Sequence, residues 1–342
     1  MLFHADLAGC RENGMRRRDF IAAVGGITVM SPVSALSQRA SGRVIGILGS
    51  AAAAEWVDRL RTFRSALAES GFVEGSNLTI DYRWSNGDNS RLPALAAELV
   101  RAQVHLIAVL GGTLSAQIAK ATTTTIPIVF RIAADPVTAG LVESLNRPGG
   151  NATGVTTLGL EVAEKQFELL GEFPPAAKSF ALFVNPTNAA VAQPQSTRLA
   201  ALARQRGVQL KVANVSNDQD IDAAFADLSR SKVEGLVIGA DTFFNSRNEQ
   251  IANLAIRFAI PTISPYREFT LAGGLMSYGG SIADASRLAG LYAARILKGE
   301  LPSDLPVVQA VKIEVVINMK TASALGIQVP NLVLARADEV ID

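Results

Sequence analysis

With 342 residues, nearly half of them apolar, the chain is long enough for two domains that each bury a core. A formal net charge of +1 argues against nucleic acid and against an anionic membrane surface as partners. The single cysteine, Cys10, and the two histidines, His4 and His105, exclude an internal disulfide, a Cys/His zinc site and a constellation that needs several histidines.

Chemistry of a recognisable kind begins at Met15-Arg16-Arg17-Arg18-Asp19-Phe20-Ile21, followed by a mildly apolar run to Leu36. Small residues at Ala35 and Ser37 then match a cleavage site that would leave Gln38 as the mature N-terminus. This order of basic, apolar and small-residue regions predicts a signal peptide over residues 1–37, with Met15 as an alternative start. Arg17-Arg18-x-Phe20-Ile21 resembles the twin-arginine type, which exports proteins already folded. A basic tail before a buried helix and an uncleaved anchor are the competing readings; Gly25-Gly26 and Pro32 interrupt the run and count against the anchor. Cys10 precedes the run, so it cannot become a lipid-attachment site after cleavage. The expected location is the periplasm.

From Arg43 to Pro136, and again from Ser179 to Glu268, the chain repeats one order of elements. Each copy opens on an apolar strand, residues 44–48 or 180–184. A helix ending at a glycine follows, 56–70 or 197–206, and then a second strand, 78–84 or 208–215. The next helix is entered from Asn89-Ser90 or from Asp218. A third strand ends in a turn of small residues, Gly111-Gly112-Thr113 or Gly239-Ala240-Asp241. After another helix, each copy closes on a strand led by Ile-Pro, at Ile126-Pro127 or Ile260-Pro261. Stretches such as 106–110 and 236–239 are apolar on both faces, as parallel strands between helices are. The predicted fold is α/β, with two doubly wound parallel-sheet lobes and a cleft between them.

Residues 147–154 are rich in turn formers and lead through Val155-Thr156-Thr157 to a helix near 162–171. Residues 273–279 read as a strand crossing back, and 282–297 as a helix that returns to the first lobe. A proline-rich link, Leu301 to Pro306, leads to a strand at 312–318 and a last short helix. These three crossings assign residues 43–154 plus 279–308 to a first lobe and 155–278 plus 309–342 to a second. Such a hinge resists twisting while permitting the lobes to open and close.

Several segments taken together resemble one bacterial family. They are Asp135-Pro136 after an Ile-Pro-Ile-Val-Phe strand, Arg147-Pro-Gly-Gly-Asn-Ala-Thr-Gly-Val155, and Ile296-Leu-Lys-Gly299 before the proline-rich link. Val315-Val-Ile-Asn318 and Ala324-Leu-Gly-Ile327 before Pro330 complete the set. The chain is thereby similar to solute-binding proteins of ABC transporters related to the tryptophan/tyrosine-type binding proteins, in the right order over nearly all of the mature chain. That resemblance implies the type I periplasmic-binding-protein fold and capture of a small molecule between two lobes. It further implies a monomer that delivers its ligand to an ABC permease in the inner membrane. The ligand is not fixed by it, because members differ at the second-lobe loops, here Asp241-Thr-Phe-Phe244 and Tyr266-Arg267-Glu268.

Doubly wound sheets bind ligands outside the carboxyl ends of their strands, so the loops there hold the candidates. Gly111-Gly112-Thr113-Leu114-Ser115 is the strongest local signal. Its glycines permit close approach to the backbone, while N–H groups, the hydroxyls of Thr113 and Ser115 and the helix dipole favour a carboxylate. An ordinary N-cap is the alternative for the same hydroxyls. Asp135 either caps a turn or sits on the cleft rim. Ser50 offers a donor in the opening turn, where neither G-x-G-x-x-G nor a P-loop lysine occurs; no nucleotide cradle and no cofactor are expected.

In the second lobe Asn185 turns the chain or binds, and Asp241 either holds an ammonium group or caps the next helix. Phe243 and Phe244 divide between core and pocket wall, with Phe243 the candidate for the wall. Arg267 clamps a carboxylate, or pairs with Glu268 or a surface acid. Tyr266 and Tyr278 are further ligand candidates, Tyr278 alternatively a buried hinge residue. His105 and Trp84 read as structural. The leading functional reading is an importer's binding component that closes on an amino-acid-like or carboxylate ligand, with Thr113 and Ser115 toward the anion and Asp241 toward the amine. A ligand sensor for a membrane receptor would use the same closure. An enzyme on this scaffold would need a base beside a nucleophile, and Ser50, Ser115 and Asp241 have no histidine companion there.

Overall fold

Thirteen strands and twelve helices follow one another in a computed structural model that describes residues 42–157, 159–173, 177–310 and 312–342. The segment assigned to an export signal lies outside the described residues. In chain order the elements begin with β1 (Arg43–Gly49), α1 (Val57–Glu69), β2 (Leu78–Trp84), α2 (Leu92–Arg101), β3 (Leu106–Val109), α3 (Thr113–Thr122), β4 (Ile128–Ile132) and β5 (Ala152–Thr156). Next come α4 (Gly159–Leu170), β6 (Ser179–Val184), α5 (Ala189–Gln205), β7 (Gln209–Asn214), α6 (Asp218–Arg230), β8 (Gly235–Ile238), α7 (Thr242–Asn245), α8 (Asn248–Arg257), β9 (Thr262–Ser264), α9 (Arg267–Leu271) and β10 (Met276–Gly280). The chain ends with α10 (Ile282–Leu297), β11 (Val308–Gln309), β12 (Ile313–Asn318), α11 (Met319–Ala324), α12 (Asn331–Leu334) and β13 (Glu339–Ile341). Among the described residues no helix is long and apolar enough to cross a membrane.

The strands form two sheets, ordered β11-β5-β4-β3-β1-β2 and β13-β12-β10-β9-β8-β6-β7. Gly42–Asp342 nevertheless makes one compact unit. Both sheets are parallel throughout, except that β12 runs antiparallel to β10. The chain changes sheets three times: between β5 and α4, between β10 and α10, and between β11 and β12. Apolar residues fill both faces of each sheet, because every central strand is covered by helices on either side.

Local chemistry fixes the helix starts. The Asp88 side chain accepts from the Ser90 N–H, Asn217 from Asp220 and Ser281 from Asp284, each satisfying a backbone donor that the helix itself leaves free. The structure departs from the sequence expectation in places. Helix α5 starts at Ala189 rather than at 197 and runs through Pro194, which removes one helical N–H but leaves the helix intact. The turn-rich stretch after Arg147 ends in a true strand, β5, buried at every position. Two short edge strands, β11 and β13, carry too few residues to show a periodicity.

Helix α10 packs back against α1, where Phe63 and Leu67 meet Ala285, Ala289 and Ala293. Gly290 permits the close approach: a Cβ there would stand 2.7 Å from the Phe63 carbonyl oxygen. Gly290→Val should therefore push the two helices apart and cost about 1–3 kcal/mol of stability, read from urea unfolding. An unchanged midpoint would contradict this packing.

Candidate ligand-binding site

In each sheet the strand order reverses beside the first strand of the lobe, with β1 between β2 and β3, and β6 between β7 and β8. The helix after β1 packs on one face and the helix after β3 on the other; α5 and α8 divide in the same way about the second sheet. The loops at the carboxyl ends must part at these points, which is where such folds take ligands. Ser50 and Gly111-Gly112 thus come to one wall, and Asn185 and Asp241 to the wall opposite.

Between them lies a cavity of about 470 Å³. Ser50, Gly112 and Ser115 line it from the first lobe, with Asn188, Asp241, Phe243 and Arg247 across from them. The lobes touch around it. The Ser50 and Thr242 hydroxyls are 3.1 Å apart, Asn89 donates to the Thr187 hydroxyl at 3.3 Å, and Arg247 reaches Glu55 at 3.9 Å.

Helix α3 begins directly after Gly112, whose φ of 89° lies in the left-handed region that favours glycine. A Cβ at Gly112 would stand 3.3 Å from the hydroxyls of both Ser50 and Ser115. A side chain here would crowd both hydroxyls at the start of the helix. No side chain caps α3, and the buried Thr113 and Ser115 hydroxyls have no hydrogen-bond partner. An unsatisfied buried hydroxyl costs free energy that a ligand acceptor can recover.

Asp241 is held entirely by neutral donors. Its Oδ1 accepts from the Asn185 amide at 3.0 Å and the Phe243 N–H at 2.9 Å, and its Oδ2 from the Asn188 amide at 2.7 Å. It thus caps α7 and also lines the cavity. Burial pushes its carboxyl above the usual carboxylate range, against the pull of the Asn188, Asn185 and Phe243 donors.

Two further residues meet at this end of the cleft, and both escaped the sequence reading. Arg59 on α1 is 5% exposed and Arg131 on β4 is 3% exposed. Arg131 donates from Nε to the Leu110 carbonyl at 2.9 Å, and Arg59 lies 5.1 Å from the Trp56 ring centroid. One terminal nitrogen of each stands 3.0 Å from where a Cβ on Gly111 would be, so the pair can be no more than twice that distance apart. Burial and the neighbouring Arg131 charge bring the Arg59 guanidinium down to about 10. The signal was present in the sequence: β4 reads Ile-Val-Phe-Arg-Ile, and a charge inside a strand buried on both faces is out of place.

The remaining candidates separate. Tyr266 lines a small cavity with Thr113, Arg131 and Asp241. Phe243 faces the main cavity, with Arg247 over its ring, while Phe244 is in the core. Asp135 is exposed, accepts from Val137 and Thr138 in a turn, and borders a second cavity of about 230 Å³ rather than the main one. Arg267 lies off the main cavity wall because Glu339 on β13 holds it at 2.6 Å. Tyr278 also lies off that wall, packing with the second-lobe core. The imidazole of His105 accepts from the Val44 N–H at 3.1 Å, and Trp84 stacks on Tyr82 and meets Trp56 edge-on.

Two parallel-sheet α/β lobes with three connections and a shared cleft define the type I periplasmic-binding-protein fold, a class of solute-capturing proteins. The chain belongs to the ABC transporter substrate binding protein family, which it matches over residues 54–341. It is 29% identical over 280 residues to a tyrosine-binding protein of Clostridioides difficile, covering 81% of this chain and 80% of that one. Among solved structures it resembles an ABC domain of Streptococcus pneumoniae in complex with L-Trp, at 27% identity and a TM-score of 0.80, over 88% of this chain and 100% of that one. A ligand-free, open substrate binding protein from Clostridium difficile, at 26% identity, matches with a TM-score of 0.63, over 87% and 99% of the two chains.

Asp241 supplies a pH test. Its carboxyl holds a proton to higher pH in the folded protein than in the unfolded chain, so stability is lost as pH rises through the folded value. Asp241→Asn removes that loss, and the Asn188 side-chain oxygen, which has no partner, can accept from the new amide. The melting temperature of the variant should exceed that of the wild type by a margin that widens from about pH 4 toward neutrality. A margin independent of pH would contradict the shift.

Proposed function

We propose that this protein is the extracytoplasmic binding component of an ABC importer, capturing an amino-acid-like solute between its lobes and presenting it to a membrane permease. The observation that carries this reading is a two-walled cavity with unlike ends. On one wall, the start of α3 offers N–H groups and the buried, unpartnered Ser115 hydroxyl, with the equally unpartnered Thr113 hydroxyl in the small cavity beside it. On the other, the Asp241 carboxylate lines the cavity with only neutral donors around it. A carboxylate suits the first end and an ammonium group the second. Phe243 gives the cavity an aromatic wall for an apolar ligand body. The tyrosine named for one relative and the tryptophan bound to another support an amino acid with such a body.

Closing on the solute stabilises one lobe arrangement over the other, and the permease then has a loaded shape to recognise. No chemical step is required. The basic, apolar and small-residue order of residues 15–37 supports export to the periplasm through a twin-arginine signal.

Calorimetric titration of the refolded protein with amino acids and simple carboxylates tests the reading. At least one amino acid should bind, and Thr113→Ala and Asp241→Ala should each weaken it by roughly 10- to 100-fold. No heat from any compound, or undiminished binding by both variants, would contradict it.

A further inference from the structure

The Arg59–Arg131 pair has no function in the account so far, and its electrostatics demand one. Two cations sit almost wholly buried with terminal nitrogens no more than about 6 Å apart, near enough for Arg131 to disfavour the charge of Arg59. Among the described residues no carboxylate comes within 4.0 Å of either guanidinium; Glu55 reaches Arg247 at 3.9 Å, and Glu55 and Glu268 act on Arg59 only at longer range. Buried charges are ordinarily paired, because isolation in a medium of low polarisability is costly. Arg131 also lines the small cavity that Gly112, Thr113, Asp241 and Tyr266 share, and Gly112 and Asp241 border the main cavity as well.

We propose that Arg131, the Thr113 hydroxyl and the first N–H groups of α3 form the seat for the carboxylate of the solute, with Arg59 supplying the second positive charge behind it. This rests on the solute-binding reading and goes further, since it makes a free acid group a condition of binding. The guanidinium of Arg131 has its Nε committed to Leu110 and one terminal nitrogen beside Gly111, which fixes the plane of the group and leaves that nitrogen to donate to a carboxylate. Gly111 and Gly112 carry no side chain that would stand in the way. Thr113 adds a donor that nothing else in the protein uses. An amide or amine in place of the acid would leave two cations uncompensated, so discrimination against such analogues follows.

The test uses L-tyrosine and L-tryptophan with their primary amides, and 3-phenylpropionate with its amide, titrated into wild type, Arg131→Met and Arg131→Lys. The acid of the best-binding pair should bind the wild type at least 10-fold more tightly than its amide. Arg131→Met should lose roughly 10- to 100-fold for the acid with little change for the amide, and Arg131→Lys should recover part of the loss. Equal affinity for acid and amide, or an acid affinity unchanged in Arg131→Met, would overturn the seat while leaving solute binding intact. If no acid in the panel binds, the amino-acid-like reading falls, and the seat is judged without a ligand. Arg59→Met then removes an unpaired buried charge and should raise the melting temperature of the refolded, ligand-free protein by a few degrees. A lower melting temperature would mean that Arg59 is there for stability, and the seat would be overturned.

Discussion

The reversal of strand order beside β1 and β6 is the constraint on which the remainder of the molecule depends. A parallel sheet covered on both faces sends its helices alternately to one side or the other, and where the direction changes two neighbouring loops must diverge. Here that happens once in each sheet, and the three chain crossings set the two openings face to face. Ser50, Gly112 and Ser115 on one side and Asn185 and Asp241 on the other are neighbours in the cleft because of topology. Their distance in sequence is irrelevant to it.

Electrostatics divide the cleft into unlike ends. The first lobe brings two buried cations and the start of α3; the second brings a buried carboxylate held by three neutral donors. Leaving those charges apart is unfavourable in each lobe by itself. A solute that carries both an acid and an amine would compensate both, and could do so fully only when the lobes come together. Affinity and closure are then one process, with the direct contacts of Ser50 with Thr242 and Asn89 with Thr187 adding modestly to it.

Much of this was legible in the chain. The repeated order of elements, the long helix α10 and the strands led by Ile-Pro follow from apolar periodicity and turn residues, and these have local causes. The start of α3 was legible too, because Gly-Gly-Thr after an apolar strand has a local meaning. Helix α5 begins at Ala189, well before the expected 197, and tolerates the one N–H missing at Pro194. Arg59 and Arg131 were harder: they lie far apart in sequence, and only packing of α1 against β4's end of the cleft brings them to Gly111. Arg267 takes one of the two roles its sequence allows, pairing with a surface acid, but which acid was not legible, since Glu339 comes from β13, an edge strand of three residues that leaves no periodic trace.

A crystal structure of the protein purified without refolding, together with whatever solute it retains, tests the central claim most directly. The account predicts a solute with its acid group against Arg131 and Thr113, its ammonium group at Asp241 and its apolar body in the main cavity, with both lobes in contact. A solute held by one lobe alone, or seated in the second cavity beside Asp135, would contradict it.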